Sequence, residues 1–211
     1  MTEQATTGLA VPGHPARYAE TPVLENAEVR LEPLGHAHAA GLSAASDEGE
    51  LWRTWYTRVP SPAGMADEID RRLGLQSAGS MAPWAIIDRA TDRAVGMTTF
   101  MNLDAANARL EIGSTWLGRA AHGTGVNPAA KLLLLTRAFD ELGVIAVEFR
   151  THWHNQQSRA AIARLGAKQD GVLRSHTIMP GGLVRDTVVF SIIAGEWPSV
   201  RQGLVARLDR R

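Results

Sequence analysis

The chain has 211 residues, with 22 basic and 22 acidic side chains and no cysteine. Its length suits one domain plus a tail and can bury a core without staples, and the missing cysteine excludes thiol nucleophiles, thiolate zinc sites and disulfides. A formal net charge of zero argues against nucleic acid or an anionic membrane as the main partner.

Residues 1–21 are small and polar, with Pro12, Gly13 and Pro15 and no periodicity. They read as a flexible tail ahead of one domain over 22–211. The start, Met1-Thr2-Glu3-Gln4, lacks the basic and apolar parts of a secretion signal, and no apolar run nears the roughly 20 residues that span a bilayer. A cytoplasmic protein without a membrane partner is expected. Glu28 to Glu32 alternates polar and apolar residues, as a half-buried strand does. His36 to Leu51 is Ala-rich and loosely helical. A second helix opens at Ser61-Pro62, where proline's missing N–H costs nothing, and runs to Ser77. Three strands follow: Pro83 to Asp88, Ala94 to Asn102 and Arg109 to Leu117. Their short turns imply antiparallel pairing, since a parallel crossover needs about a dozen residues or more. The best helix takes Asn127 as N-cap and Pro128 as its first residue, puts Leu132, Leu135, Phe139 and Leu142 on one face, and stops before Gly143. Next come a buried strand, Val144 to Arg150, and a helix from Asn155 to Gly166. Strands Gly171 to Met179 and Val184 to Ile193 flank Pro180-Gly181-Gly182, and Glu196 to Leu208 closes the chain as a helix. The expected fold is α/β, with a mixed, mostly antiparallel central sheet flanked by helices and a C-terminal β-hairpin.

The segment Arg119-Ala120-Ala121-His122-Gly123-Thr124-Gly125-Val126-Asn127 joins a strand to the best helix. Two glycines one residue apart let backbone N–H groups approach a ligand, and a helix start adds about half a positive charge. That is a seat for phosphate or pyrophosphate, with Arg119 and Lys131 as countercharge. A plain tight turn has the same sequence. His122 either contacts phosphate or caps the loop. No Gly-Lys-Ser/Thr follows, so this is not a P-loop, and the dinucleotide fingerprint lacks its third glycine.

The order and spacing of Leu110-Glu111-Ile112-Gly113, of Gly123-Thr124-Gly125 before a helix, and of Asn155-x-x-Ser158 leading to Leu165-Gly166-Ala167 resemble the GNAT superfamily of acyl-CoA-dependent N-acetyltransferases. The resemblance runs from about Glu28 to Trp197. Arg185-Asp186-Thr187 in the hairpin and Glu196-Trp197-Pro198 look like the RimJ/RimL-like branch, which includes ribosomal-protein N-terminal acetyltransferases. The resemblance implies a GNAT-like fold and acetyl-CoA as co-substrate, with no metal. It implies that Gly123, Thr124, Gly125 and Val126 present N–H groups to the pyrophosphate. The strand ending at Trp116-Leu117 would splay from the next one and hold the pantetheine arm, and Asn155 and Ser158 would face the thioester end. Two positions depart from the family. Ala120 stands where Gln or Arg is usual, and Ile162 stands where many members carry a tyrosine acid.

Amine attack on a thioester needs a proton removed from the ammonium and a thiolate stabilised. Glu111 is the candidate base. On a regular strand it shares a face with Gly113, which leaves space for a ligand. The plainer role is pairing with Arg109 or another surface cation. Ser158 is the candidate for the thiolate. Asn155, Ser158, Ile162 and Leu165 share one helix face, although Asn155 is also a natural N-cap and a serine there often bonds a backbone carbonyl. His152-x-His154 has metal-pair spacing without a third ligand and reads as surface histidines. Trp52, Trp55 and Tyr56 fall where the family places a substrate-lining arm, though such spacing also serves packing. His176 lies in the hairpin, where the family builds the acceptor wall. No basic or acidic cluster in the sequence defines the acceptor.

These observations predict acetyl transfer from acetyl-CoA to a primary amine, on a protein N-terminus or a small molecule, by direct transfer in a ternary complex. A homodimer is left open. The alternatives are an antibiotic or metabolite amine acyltransferase using another acyl-CoA, and a non-catalytic acyl-CoA-binding domain.

Overall fold

The computed structural model describes residues 15–210. Its eight strands are β1 (Leu24–Glu25), β2 (Val29–Pro33), β3 (Met81–Asp88), β4 (Arg93–Asp104), β5 (Arg109–Leu117), β6 (Ala146–His152), β7 (Lys168–Ile178) and β8 (Val184–Ile193). They form one sheet in the order β1-β2-β3-β4-β5-β6-β8-β7. Neighbours are antiparallel throughout, with short turns joining β1 to β2, β3 to β4, β4 to β5 and β7 to β8, except that β5 and β6, joined through a helix, run parallel. The helices are α1 (Ala39–Asp47), α2 (Met65–Ser77), α3 (Val126–Thr136), α4 (Gln156–Ala163) and α5 (Trp197–Leu208). Among the described residues no helix is long and apolar enough to cross a membrane.

Alternation along the strands sends side chains to two cores. Leu110, Ile112, Val147, Phe149, Val188 and Phe190 meet Leu134, Leu135 and Ala138 of α3, with Trp197, Val200 and Leu204 of α5 in the same cluster. On the other face Ala85, Ile87, Met97 and Trp116 meet Leu42 of α1 and Ile69 of α2. The helix α3 starts earlier than expected. Its N-cap is Gly125, so Asn127 lies inside the first turn, and its end widens into a π turn over Arg137–Glu141. Ser61 accepts a hydrogen bond from the Gly64 N–H, and Asn155 accepts one from the Ser158 N–H, so both expected helix starts are capped by side chains.

The first 14 residues of the expected tail lie outside the described residues. The rest of it is docked. Pro15–Ala19 forms a 3-10 turn with Tyr18 fully buried in the core that holds Trp84 and Phe100. Arg137 donates to the Arg17 and Glu20 carbonyls, Gln76 to the Ala19 carbonyl, and Trp84 Nε1 to the Pro22 carbonyl. One buried aromatic outweighs a composition that reads as disordered.

Candidate active site

The parallel pairing of β5 and β6 covers only Arg109–Glu111 against Ala146–Glu148. Past that point the two strands part. The cause lies in β5, where Ser114 takes φ +45° and three residue steps face two on β4, a β-bulge. Arg72 of α2, 1% exposed, holds the bulge. Its Nη2 donates to the Ser114 carbonyl at 3.2 Å while its Nε donates to Glu68 at 2.6 Å.

The strand β5 leads into the glycine loop. His122 Nε2 lies 2.9 Å from the Leu117 carbonyl, and Thr124 Oγ1 donates to the Ala121 carbonyl at 2.7 Å. Gly123 has φ +74°, and a Cβ there would meet nothing within 4 Å. Gly125 offers no side-chain cap to α3. The loop is exposed at His122 and Gly123 and runs, next to the parted strands, into a helix start whose N-cap Gly125 has no side chain and whose Val126 N–H is met by the Thr124 hydroxyl. That combination suits the diphosphate and extended arm of a coenzyme A.

At the point of parting lies Glu111, buried to 5% exposure. Asn102 Nδ2 donates to its Oε2 at 2.6 Å, and Arg150 Nε stands 3.5 Å from the same oxygen. Burial pushes this carboxyl above the usual range, against the opposing pull of Arg150, Asn102 and Arg185. A Cβ on Gly113 would come within 2.7 Å of Glu111 Oε1 and of Met101 Sδ. The missing side chain at Gly113 thus makes room for the carboxyl itself rather than for a ligand. A cleft of about 460 Å³ opens over Asn102, Arg109, Glu111, Glu148 and Arg150.

The GNAT acetyltransferase domain model matches residues 28–168, well over half of the sequence. The chain belongs to the GNAT acetyltransferase family. A GCN5-related N-acetyltransferase from Brucella melitensis shares 31% identity and superposes with a TM-score of 0.84 over 94% of this chain and 89% of that one. YdaF of Bacillus subtilis (strain 168), provisionally named a ribosomal N-acetyltransferase, is 34% identical over 102 residues. That match takes in 48% of this chain and only 55% of YdaF. Mycobacterium smegmatis RimJ, solved with CoA-disulfide, shares the fold at 24% identity and a TM-score of 0.72, over 89% of this chain and 93% of that one. These names agree with the RimJ/RimL-like motifs in the hairpin and at Glu196-Trp197-Pro198.

On the GNAT frame the expected residues sort by place. Gly123, Thr124, Gly125 and Val126 form the loop and helix start, and Trp116 and Leu117 end the strand that parts from β6. Ser158 is half-buried on the first turn of α4, and its hydroxyl makes no hydrogen bond among the described residues. Asn155 commits its side-chain oxygen to the cap. His122 spends a ring nitrogen on the loop's own carbonyl. Lys131 is not a loop countercharge. It is 6% exposed, and its Nζ donates to Thr115 Oγ1 at 2.8 Å and Thr98 Oγ1 at 3.3 Å, beneath the sheet. Burial without a carboxylate drops its pKa to about 7. Arg109 pairs with Glu148, at 2.6 Å, and not with Glu111.

The aromatic arm differs from a helix. Leu51–Arg53 is a 3-10 turn, and the chain then crosses over β6. The Trp55 ring stands 5.2 Å from His152 and 5.5 Å from His154, and Tyr56 lies 6.3 Å from His152. Trp52 sits apart from this group, beside Arg53. His152 is not a surface histidine but 5% exposed, because the arm covers it, whereas His154 is exposed. His176 reaches the same wall, its Nδ1 3.1 Å from Thr187 Oγ1. Among the described residues no group of three or more His, Asp or Glu side chains is set to hold a metal ion. Sequence reasoning missed Arg58, Arg72, Asn102, Arg150 and Thr187. Arg185 and Thr187 fall inside a motif already noted, but nothing in the spacing says that Arg185 comes within electrostatic range of Glu111.

Proposed function

We propose that this chain is an acetyl-CoA-dependent N-acetyltransferase acting on a primary amine by direct transfer within a ternary complex. The observation that carries the reading is the buried carboxyl of Glu111, its proton affinity raised by burial, at the point where β5 and β6 part, on the strand that leads into the loop at Gly123. Acetyl-CoA supplies an activated acetyl group as its thioester. A free α-amine has a pKa near 8, so about a tenth is neutral at pH 7, and a base enlarges that share. Glu111 takes the ammonium proton, directly or through one water. The N–C bond forms and the C–S bond breaks; the amide nitrogen releases its extra proton to solvent and the leaving thiolate takes one up, giving free CoA. The Ser158 hydroxyl, which makes no hydrogen bond among the described residues, donates a hydrogen bond to that sulfur in this reading.

The finer parts of the proposal are an acceptor that is a protein N-terminus or a small-molecule amine, no nucleic-acid or membrane partner, no metal, and a cytoplasmic location. The name of YdaF favours a ribosomal N-terminus. Release of CoA from acetyl-CoA across a panel of amines tests the reaction. Gly123→Val tests the loop, because a β-branched residue is strained at φ +74°. Its acetyl-CoA Kd should rise at least tenfold, about 1.4 kcal/mol. Unchanged affinity in a folded variant removes the loop from the site.

A further inference from the structure

The neutral chain hides a local excess of positive charge. The residues concerned gather at the end of β6 beyond Glu148, from three segments. From β6 come Arg150 and His152, and from β8 come Arg185 and Thr187, with His152 and Thr187 directly opposed in the sheet. The arm carries Trp55 and Tyr56 over His152 and brings Arg58 within electrostatic range of Arg185. Arg150 is matched by Glu148, at 2.8 Å, and by Glu111. Arg58 and Arg185 are not matched. Among the described residues neither guanidinium has a carboxylate within salt-bridge distance, and Arg185 is held by its Nε on Thr187 Oγ1 at 2.9 Å.

A half-buried guanidinium is costly without an anion, and folded proteins pair such charges. Burial and the field of Arg58 both work against the charged form of Arg185, while Glu111 supports it. Arg185 acts in turn on His152, whose pKa is lowered by burial and then by Arg185 and His154, against a smaller opposing pull from Asp186, which is itself bonded to Arg174. A missing negative charge at this spot would relieve both residues. The Nε of Arg185 is already engaged, which leaves the other guanidinium nitrogens for a planar, two-oxygen partner.

We propose that the acceptor is an amine that also carries a carboxylate, seated on Arg185 and Arg58 so that its amine reaches Glu111. This rests on the transferase reading above. It gives acceptor selection to the β8 hairpin and the arm after α1, separate from the glycine loop. A phosphate on the acceptor would use the same donors, so the test includes both anions.

Matched acceptors decide it: C-terminally amidated peptides beginning Asp or Glu against Asn or Gln, phosphoserine against serine, and an amino acid against its amide, each at saturating acetyl-CoA. The carboxylate member should lead its neutral partner at least tenfold in kcat/KM, chiefly through KM. Arg185→Gln should bring that ratio to within about threefold. Arg58→Gln, at an exposed position that carries little folding risk, should lower it in the same direction. Equal use of charged and neutral partners overturns the inference, as does a preference that survives both substitutions. So does an Arg185→Gln that raises the acetyl-CoA Kd instead of the acceptor KM, because the arginine then serves the coenzyme. A larger lead for phosphoserine than for any carboxylate reassigns the seat to phosphate and overturns the carboxylate claim. Transfer to no acceptor overturns the transferase reading, and this inference with it. Transfer without charge preference overturns this inference alone.

Discussion

Glu111 shows how one residue's chemistry depends on neighbours that the sequence keeps far apart. Its carboxyl is desolvated, bonded to Asn102 and flanked by Arg150, from three different strands. Because burial raises its proton affinity, the acidic limb of the kcat/KM profile should lie above the ordinary carboxylate range. Glu111→Gln should lower kcat/KM by about two orders of magnitude and abolish that limb, leaving the amine's own titration. Wild-type rates at neutral pH in the glutamine variant would remove Glu111 from the mechanism. Lys131 gives a second test, of stability. Its folded pKa is about 7 against an ordinary 10.5, so the folded state releases the proton while the unfolded chain still holds it. Stability from this residue is therefore present above 10.5 and lost as pH falls through 7. Lys131→Met should be most stabilising, relative to wild type, at or below neutral pH. Its advantage should shrink by about 1.4 kcal/mol per pH unit between the two values. Urea titrations of both proteins at pH 6 and pH 9 check it, and an advantage independent of pH refutes it.

At the level of elements, periodicity and turn chemistry made most of the secondary structure legible. The strand over Arg109 to Leu117 falls where alternation puts it, and the hairpin forms around Pro180-Gly181-Gly182. What periodicity leaves out is the irregularity inside a strand. The bulge at Ser114 interrupts a sequence that reads as regular, because its carbonyl is captured by Arg72, 42 positions earlier. Arg72→Met removes that donor and the Glu68 pair together. It should destabilise the fold by about 1–3 kcal/mol, because the Ser114 carbonyl loses its donor, while Glu68 keeps its pair with Arg71. Arg72→Met should also weaken acetyl-CoA binding if the bulge shapes the coenzyme edge, and a double variant with Glu68→Gln, which removes both charges, should not restore that affinity. Denaturant midpoints and calorimetry on both variants separate the two effects, and full affinity in the double variant would show that the bulge stands without Arg72. The start of α3 was misplaced for a related reason. Asn127-Pro128 has good capping chemistry, but the loop's own Thr124 hydroxyl and Gly125 begin the helix sooner.

On the scale of the whole molecule, one buried side chain ties the N-terminal segment to the sheet. Tyr18→Ala should cost about 3–5 kcal/mol by leaving a cavity in the shared core. Tyr18→Phe should be neutral or stabilising, since the tyrosine hydroxyl is buried with no partner. Thermal denaturation of both variants checks this, and a mild alanine effect would mean that the segment is only laid on the surface. The zero net charge is also a whole-chain average that says nothing of its distribution. Folding brings Arg150 and Arg185 within range of Glu111 and Arg58 within range of Arg185, and no run of basic residues announces it, because the three lie on separate segments. Local order along the chain determined the strands, most helix boundaries, the glycine loop and the family resemblance, since each is written in neighbouring residues by dihedral preference and side-chain period. Pairing across the sheet decided the rest. It chose which carboxylate Arg109 meets, buried Lys131 away from the loop, covered His152 with Trp55, and set Arg185, unmatched among the described residues, within range of Glu111 and Arg58. Burial and Coulomb forces act through space, so these partners are fixed only once distant segments have been brought together.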